Sequence, residues 1–151
     1  MASTLGTVRF SQFFTDRSGK VLQAIDRAKR KTYSKAGAYV RQAARSSIRP
    51  GKGPSAPGKP PKSHDGTLRR GILFGYDRGR DEVIVGPRLD LAKRSINNGQ
   101  TVPEVIEFGG KVKDRETGEQ LSYRARPFMG PALEREAPNF AELWSNTVRE
   151  G

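Results

Sequence analysis

The chain has no cysteine, which removes any disulfide framework and any thiolate metal site. It has one histidine, His64, so a Ser-His-Asp triad or an imidazole metal centre would have to be built on that single side chain. No apolar run reaches the roughly 18 residues that a membrane-spanning helix needs. The start, MASTLGTVRF, lacks the charged-then-apolar order of a signal peptide, and the chain is expected to be soluble and made in a cytoplasm. Apolar residues are also scarce, at 34% with a mean hydropathy of −0.72. That is lean for one domain of 151 residues. The balance is expected to be loop, or surface that is buried only in an assembly.

Acids are scarce in the first half. Residues 1–80 hold 18 Lys+Arg against 4 Asp+Glu, a net of +14, whereas residues 81–151 hold 10 against 12, a net of −2. With an overall +12 and a pI near 10.5, an anionic partner is expected: nucleic acid first, an acidic protein surface second. The polarity follows sequence order, so one face or end of the fold should be basic.

The basic half is dominated by a helical pattern. After an N-terminal arm of residues 1–16, for which strand or ordered arm both fit, Asp16 or Ser18 offers an N-cap. Val21, Ile25, Ala28, Thr32, Ala36, Val40, Ala43, Ala44 and Ile48 then recur at steps of three and four, which predicts one long amphipathic helix over residues 17–49. Pro50 and Gly51 end it. Of its ten basic residues only Lys29 falls off the face opposite the apolar stripe. Arg27, Lys31, Lys35, Arg41 and Arg45 form the candidate basic stripe. Any amphipathic helix has a charged back, but a merely solvated one mixes signs, and here only Asp26 is acidic. The stripe is expected to face either DNA phosphates or an acidic partner.

Residues 50–66 form a loop in which Pro50, Pro54, Pro57, Pro60 and Pro61 each fix φ and remove a donor. A loop of this length in a small domain is functional or ordered by a partner, and it is read as an arm that docks on a neighbouring subunit. Residues 67–127 read as sheet and hairpins. Thr67–Tyr76 and Asp81–Gly86 are expected to be strands, joined through Asp77-Arg78-Gly79-Arg80 with Gly79 at positive φ. A weak helix over Leu89–Asn98 should end in an Asn97-Asn98-Gly99 turn. Pro103 should open a short helix closed by Gly109-Gly110, and a polar hairpin should project around Glu116–Glu119. Residues 128–151 form the C-terminal helix, kinked at Pro138 and anchored by Phe128 and Trp144 in the core. The fold class is α+β: a long N-terminal helix and a C-terminal helix packed on an antiparallel sheet.

Enzyme chemistry finds little purchase. Gly53 to Lys59 has the glycine and lysine spacing of a phosphate-binding loop, but Pro60 stands where the magnesium-binding hydroxyl belongs, and no strand–helix frame surrounds it. His64 sits in the proline loop beside Asp65 without a rigid surround. Neither a cofactor nor a metal is expected. Aromatics do not interleave with the bases, so any nucleic-acid contact would be to phosphates and without sequence preference.

Three segments then occur in order. The first is Ala56-Pro57-Gly58…Pro60-Pro61…Asp65-Gly66-Thr67-Leu68-Arg69-Arg70-Gly71-Ile72. The second is Val105-Ile106-Glu107-Phe108-Gly109-Gly110, preceded by Val85-Gly86-Pro87. The third is Arg126-Pro127-Phe128-Met129-Gly130-Pro131-Ala132-Leu133-Glu134. Together they resemble the tail-completion, or head–tail joining, family of long-tailed bacteriophages (minor tail protein Z-like). Gly71 stands where the family often has Ser, and Gly110 where it has Thr. The resemblance implies a structural virion protein of the phage neck, assembled in the host cytoplasm and without enzymatic activity. It also implies a homo-oligomeric ring, most simply a hexamer, that joins the connector or stopper to the tail terminator or tail tube and encloses the channel for double-stranded DNA. Pro54, Pro57, Pro60, Pro61, Glu107, Phe108 and Gly109 are the residues expected to dock subunits or partners. The alternative from another class is a stand-alone, non-specific nucleic-acid-binding protein.

Overall fold

Helix α1, Ser11–Ser47, is the axis on which the remaining elements are laid. The computed structural model describes residues 11–92, 95–96, 99–114 and 116–149. With no proline between residues 11 and 47, nothing interrupts the helix, and it starts earlier than residue 17. Asp16 and Ser18 therefore lie inside it instead of capping it. Of the expected N-terminal arm, residues 11–16 are helical and residues 1–10 lie outside the described residues. The stripe at steps of three and four becomes a buried face from Thr32 through Ala36, Val40, Ala43 and Ala44 to Ile48. In the last turn Ser46 Oγ donates to the Ala43 carbonyl (2.9 Å) and Ser47 Oγ to the Ala44 carbonyl (2.8 Å), and Arg45 sits at the negative end of the helix dipole.

Two layers cover this face. On one side lie α5, Met129–Glu136, and α6, Phe140–Arg149, separated by a single 3₁₀ turn at Ala137–Asn139. Pro138 breaks the C-terminal helix there as expected. On the other side lies the hairpin of β3, Ile72–Asp77, and β4, Glu82–Pro87, in antiparallel register from Ile72↔Pro87 to Asp77↔Glu82. Gly37 permits this approach: a Cβ there would come within 2.7 Å of Val83 Cγ2 and 2.8 Å of Phe74 Cδ2. The core is small, consisting of Val40, Ala43, Ala44, Ile48, Ile72, Phe128 and Ala132 with Leu68, Val85, Ile106, Met129 and Phe140 at its edge. Phe128 is 1% exposed and fills the centre, as expected. Trp144 does not join it. It is half-buried at the rim, edge-on to Tyr33 with centroids 5.7 Å apart, because there α6 meets α1 about two turns before the core cluster, where Thr32 and Thr147 hydroxyls bond at 3.0 Å.

The α+β class holds, but the sheet is not one sheet. The described residues carry four two-stranded pairs. Besides β3–β4, these are a parallel pair of β1, Arg49–Pro50, with β2, Lys62–Ser63, and an antiparallel pair of β5, Ser95–Ile96, with β6, Gln100–Thr101. The fourth is the antiparallel ribbon of β7, Gly110–Lys113, with β8, Gln120–Tyr123. The ribbon is the expected polar hairpin.

The first strand begins at Ile72 and not at Thr67. The Asp65 carboxylate accepts from the Thr67 amide (2.9 Å) and hydroxyl (2.6 Å), winding Thr67–Arg70 into a helical turn, α2. In the next turn the positive φ belongs to Asp81 (54°), not to Gly79. Asp77 Oδ1 accepts from the Gly79 amide (2.8 Å) and holds that residue in an ordinary conformation. Of the expected helix over Leu89–Asn98, the described residues show α3, Leu89–Ala92, and the strand at Ser95–Ile96. The expected turn at Asn97-Asn98 lies outside the described residues, although Gly99 takes φ 80°.

Candidate assembly surface

Helix α4, Val102–Phe108, starts with a reciprocal cap in which the Thr101 amide donates to Glu104 Oε2 (2.7 Å) and the Glu104 amide to Thr101 Oγ1 (3.4 Å). That amide contact holds the Glu104 carboxyl below its ordinary pKa. The helix ends at Gly109, φ 76°, where a Cβ would meet the Tyr123 carbonyl oxygen at 2.8 Å and the Ala125 nitrogen at 3.0 Å. Only glycine fits a left-handed position pressed against another backbone.

Glu107 stands in the last turn, two residues before that end. Its Oε2 accepts from the amides of Phe128 (2.8 Å) and Met129 (3.0 Å), and its Oε1 from the amide of Gly130 (2.8 Å). These are the donors that the first turn of α5 leaves orphaned, and the N-cap residue there, Phe128, has no acceptor of its own. Helix α5 thus takes its cap from α4, across 21 to 23 residues. The Arg126 amide bonds the Ile106 carbonyl at 2.7 Å beside it. Val105–Gly110 and Arg126–Glu134, separate motifs in the sequence, form one structural joint. Glu107 is accordingly not free to dock a partner, because its carboxylate is consumed within its own chain.

Phe108, next to it, points the other way and is 77% exposed. It borders an apolar groove of about 470 Å³ between α1, β4, α4 and α5. Gly37, Val40, Val85, Leu133 and Phe140 are among its walls, and Glu104 and Glu107 are its only charged lining residues among the described residues. Phe108 is the one member of the Glu-Phe-Gly motif whose side chain is presented outward.

The proline loop returns to its own chain. The Gly58 amide donates to the Ala125 carbonyl (2.9 Å) and Arg126 Nε to the Ser55 carbonyl (2.8 Å), while β2 pairs with β1. Pro61 is buried, which removes it from the expected docking set. Pro60 is half-buried, and Pro54 and Pro57 remain exposed. His64 is exposed beside them.

The basic stripe divides. Arg27, Lys31 and Lys35 are exposed, whereas Arg41 and Arg45 are half-buried. Arg41 Nε donates to the Ile72 carbonyl (3.1 Å), with the guanidinium 5.9 Å above the Phe74 ring, so Arg41 fastens α1 to β3 and does not belong to an open face. Lys29, which fell off the stripe in sequence, pairs with Asp81, and Tyr76 Oη donates to the same carboxylate (2.6 Å). The Lys29 hydrogen bond, then that of Tyr76, holds the Asp81 carboxyl below its usual range, and Lys29 is raised in return. Its displacement from the helix's basic face was the signal for this pair.

No family model, curated protein or solved structure matches this chain.

Two further features escaped sequence reasoning. The groove needed the fold to bring α1 and α4 together. The other is the exposed apolar strip of Val21, Leu22 and Ile25: the helical pattern placed Val21 and Ile25 on its apolar stripe, without Leu22, and nothing in the described chain covers them.

Proposed function

We propose that the chain is a structural subunit of the neck of a long-tailed bacteriophage virion, acting without catalysis as one protomer of a homo-oligomeric ring between head and tail. The observation that carries this is the joint built on Glu107. Two of the three segments on which the family resemblance rests interlock through it, which supports reading them together as one structural unit. The small core and the exposed Phe108 at an open apolar groove suit a protomer completed by neighbours. Arg27, Lys31 and Lys35 offer diffuse, screened charge to DNA that must slide past, without groups arranged to read bases.

The test is negative-stain imaging of the purified protein alone, then with tailless heads and with free tails. Rings with a central channel, and heads joined to tails only when the protein is present, are the expected result. A protein that stays monomeric, joins nothing and binds duplex DNA with a steep salt dependence would overturn it in favour of a stand-alone nucleic-acid-binding protein.

A further inference from the structure

We infer that the N-terminal half of α1 in one protomer docks its apolar strip into the apolar groove of the next copy, giving a head-to-tail contact. Every residue from Gly19 to Arg27 is exposed, although Val21, Leu22 and Ile25 are among them and Leu22 is 62% exposed. With Ala28, these residues stand at i, i+1, i+4 and i+7, the spacing with which an amphipathic helix fills a groove. The groove is the complementary shape on the body, and Leu133, 51% exposed, is on its wall.

The occupant cannot be the same chain. Ala36, Gly37 and Val40 of α1 themselves wall the groove, and Leu22 lies some 20 Å away along the same rigid rod. Helix and groove therefore meet only between copies. Charge selects the same pairing. Lys20, Arg27 and Arg30, on the back of this segment with only Asp26 against them, give it a net positive charge, and the groove offers the exposed Glu104 carboxylate and no base among the described residues. Two strips packed on each other would instead bring together two segments of the same net charge. Unless it is returned about a two-fold axis, which would stop a chain carrying cysteine at both patches at a linked dimer, a contact between two different patches of identical subunits is heterologous and closes into a ring or runs on as a filament. This names the contact of the proposed ring and rests on that proposal only for closure.

The chain's lack of cysteine makes the test direct. Leu22→Cys and Leu133→Cys, both at exposed positions, are made in the full chain separately and together, and each is oxidised. Mixing the two single variants should give a disulfide-linked pair at twice the protomer mass. Each single variant alone should stay uncrosslinked, and the double variant should give a ladder of multiples. Crosslinking of Leu22→Cys with itself, bonding of the double variant only within one protomer, or no crosslink would each overturn the inference. So would a protein that remains monomeric until a different protein fills the groove. Rings seen without the ladder would remove this contact and leave the neck proposal standing. A ladder in a protein that joins no heads to tails would do the reverse.

Discussion

Removing the Glu107 carboxylate should loosen α5 from α4 and carry Phe128 with it. Three amides of the first helical turn end on this one half-buried side chain at 2.8 to 3.0 Å. An ordinary N-cap hydrogen bond is worth about 1 kcal/mol, charge assistance raises that, and a carboxylate at a helix N-terminus adds roughly 0.3–1 kcal/mol through the dipole. Water reaches part of the vacated site and recovers some of this. Glu107→Ala should therefore cost about 2–4 kcal/mol. Glu107→Gln keeps one carbonyl acceptor but loses the charge and turns an amino group toward the donors, and should cost about half as much. Urea unfolding followed by the fluorescence of Trp144, the only tryptophan, and by far-UV circular dichroism gives both values; a fall in midpoint at constant slope is expected. Losses below about 0.5 kcal/mol in both variants would refute the reasoning, because the amides would then be equally well served by water.

Other expectations follow from the same contacts. Phe128→Ala should cost about 3–5 kcal/mol and Trp144→Ala clearly less, about 1–2 kcal/mol, in urea unfolding followed by far-UV circular dichroism; equal losses would mean that the rim contact with Tyr33 is as important as the core. Asp81→Asn keeps a residue tolerant of positive φ while removing the charge that meets Lys29. The depressed Asp81 carboxyl stabilises the fold above its ordinary pKa of about 4 and stops doing so as pH falls through the lowered value. The raised Lys29 ammonium contributes below its ordinary pKa of about 10.4 and is lost as pH climbs past the raised one. The stability gap between wild type and Asp81→Asn should thus be flat between about pH 5 and 9 and shrink at both ends. A gap unchanged at both extremes would rule out the pair. Deleting Pro54–Lys62 should lower the stability of the isolated chain, since it removes buried Pro61 and the partners of Arg126 and Ala125; unchanged melting would show that the loop is held only by neighbours. Arg27, Lys31 and Lys35 replaced together by Gln should leave head–tail joining intact and impair DNA delivery, whereas lost joining would place them at a protein interface.

Much of the layout was legible because it is written in local chemistry. The three-and-four spacing from Thr32 to Ile48, the proline at 103, the glycines at 109 and 110 and the break at Pro138 act within a few residues, and each came out where expected. What failed depended on side chains meeting across the fold. Glu107 looked like a surface acid because its amide partners are 21 to 23 residues away. Arg41 looked like its neighbours on the stripe until β3 was laid over it. Pro61 looked like part of an open arm until the strand after it paired with the residues closing α1. The helical pattern could not say that its apolar face is covered from Thr32 onward and bare before Arg27, since coverage is a property of the other elements.

The placement of the core also sets the order in which the chain can acquire its structure. Val40, Ala43, Ala44 and Ile48 are made early and Ile72 follows soon after, but the other side chains that cover them, Phe128 and Ala132, lie 80 or more residues later. A nascent chain therefore carries a long helix whose apolar face is covered by the β3–β4 hairpin alone through much of its synthesis. Contacts this distant in sequence make closure late, and the intermediate that waits for it is prone to associate. Chains cut before α5 would lose the whole fold and not merely a tail, and early-terminated products would be expected in aggregates or bound to chaperones.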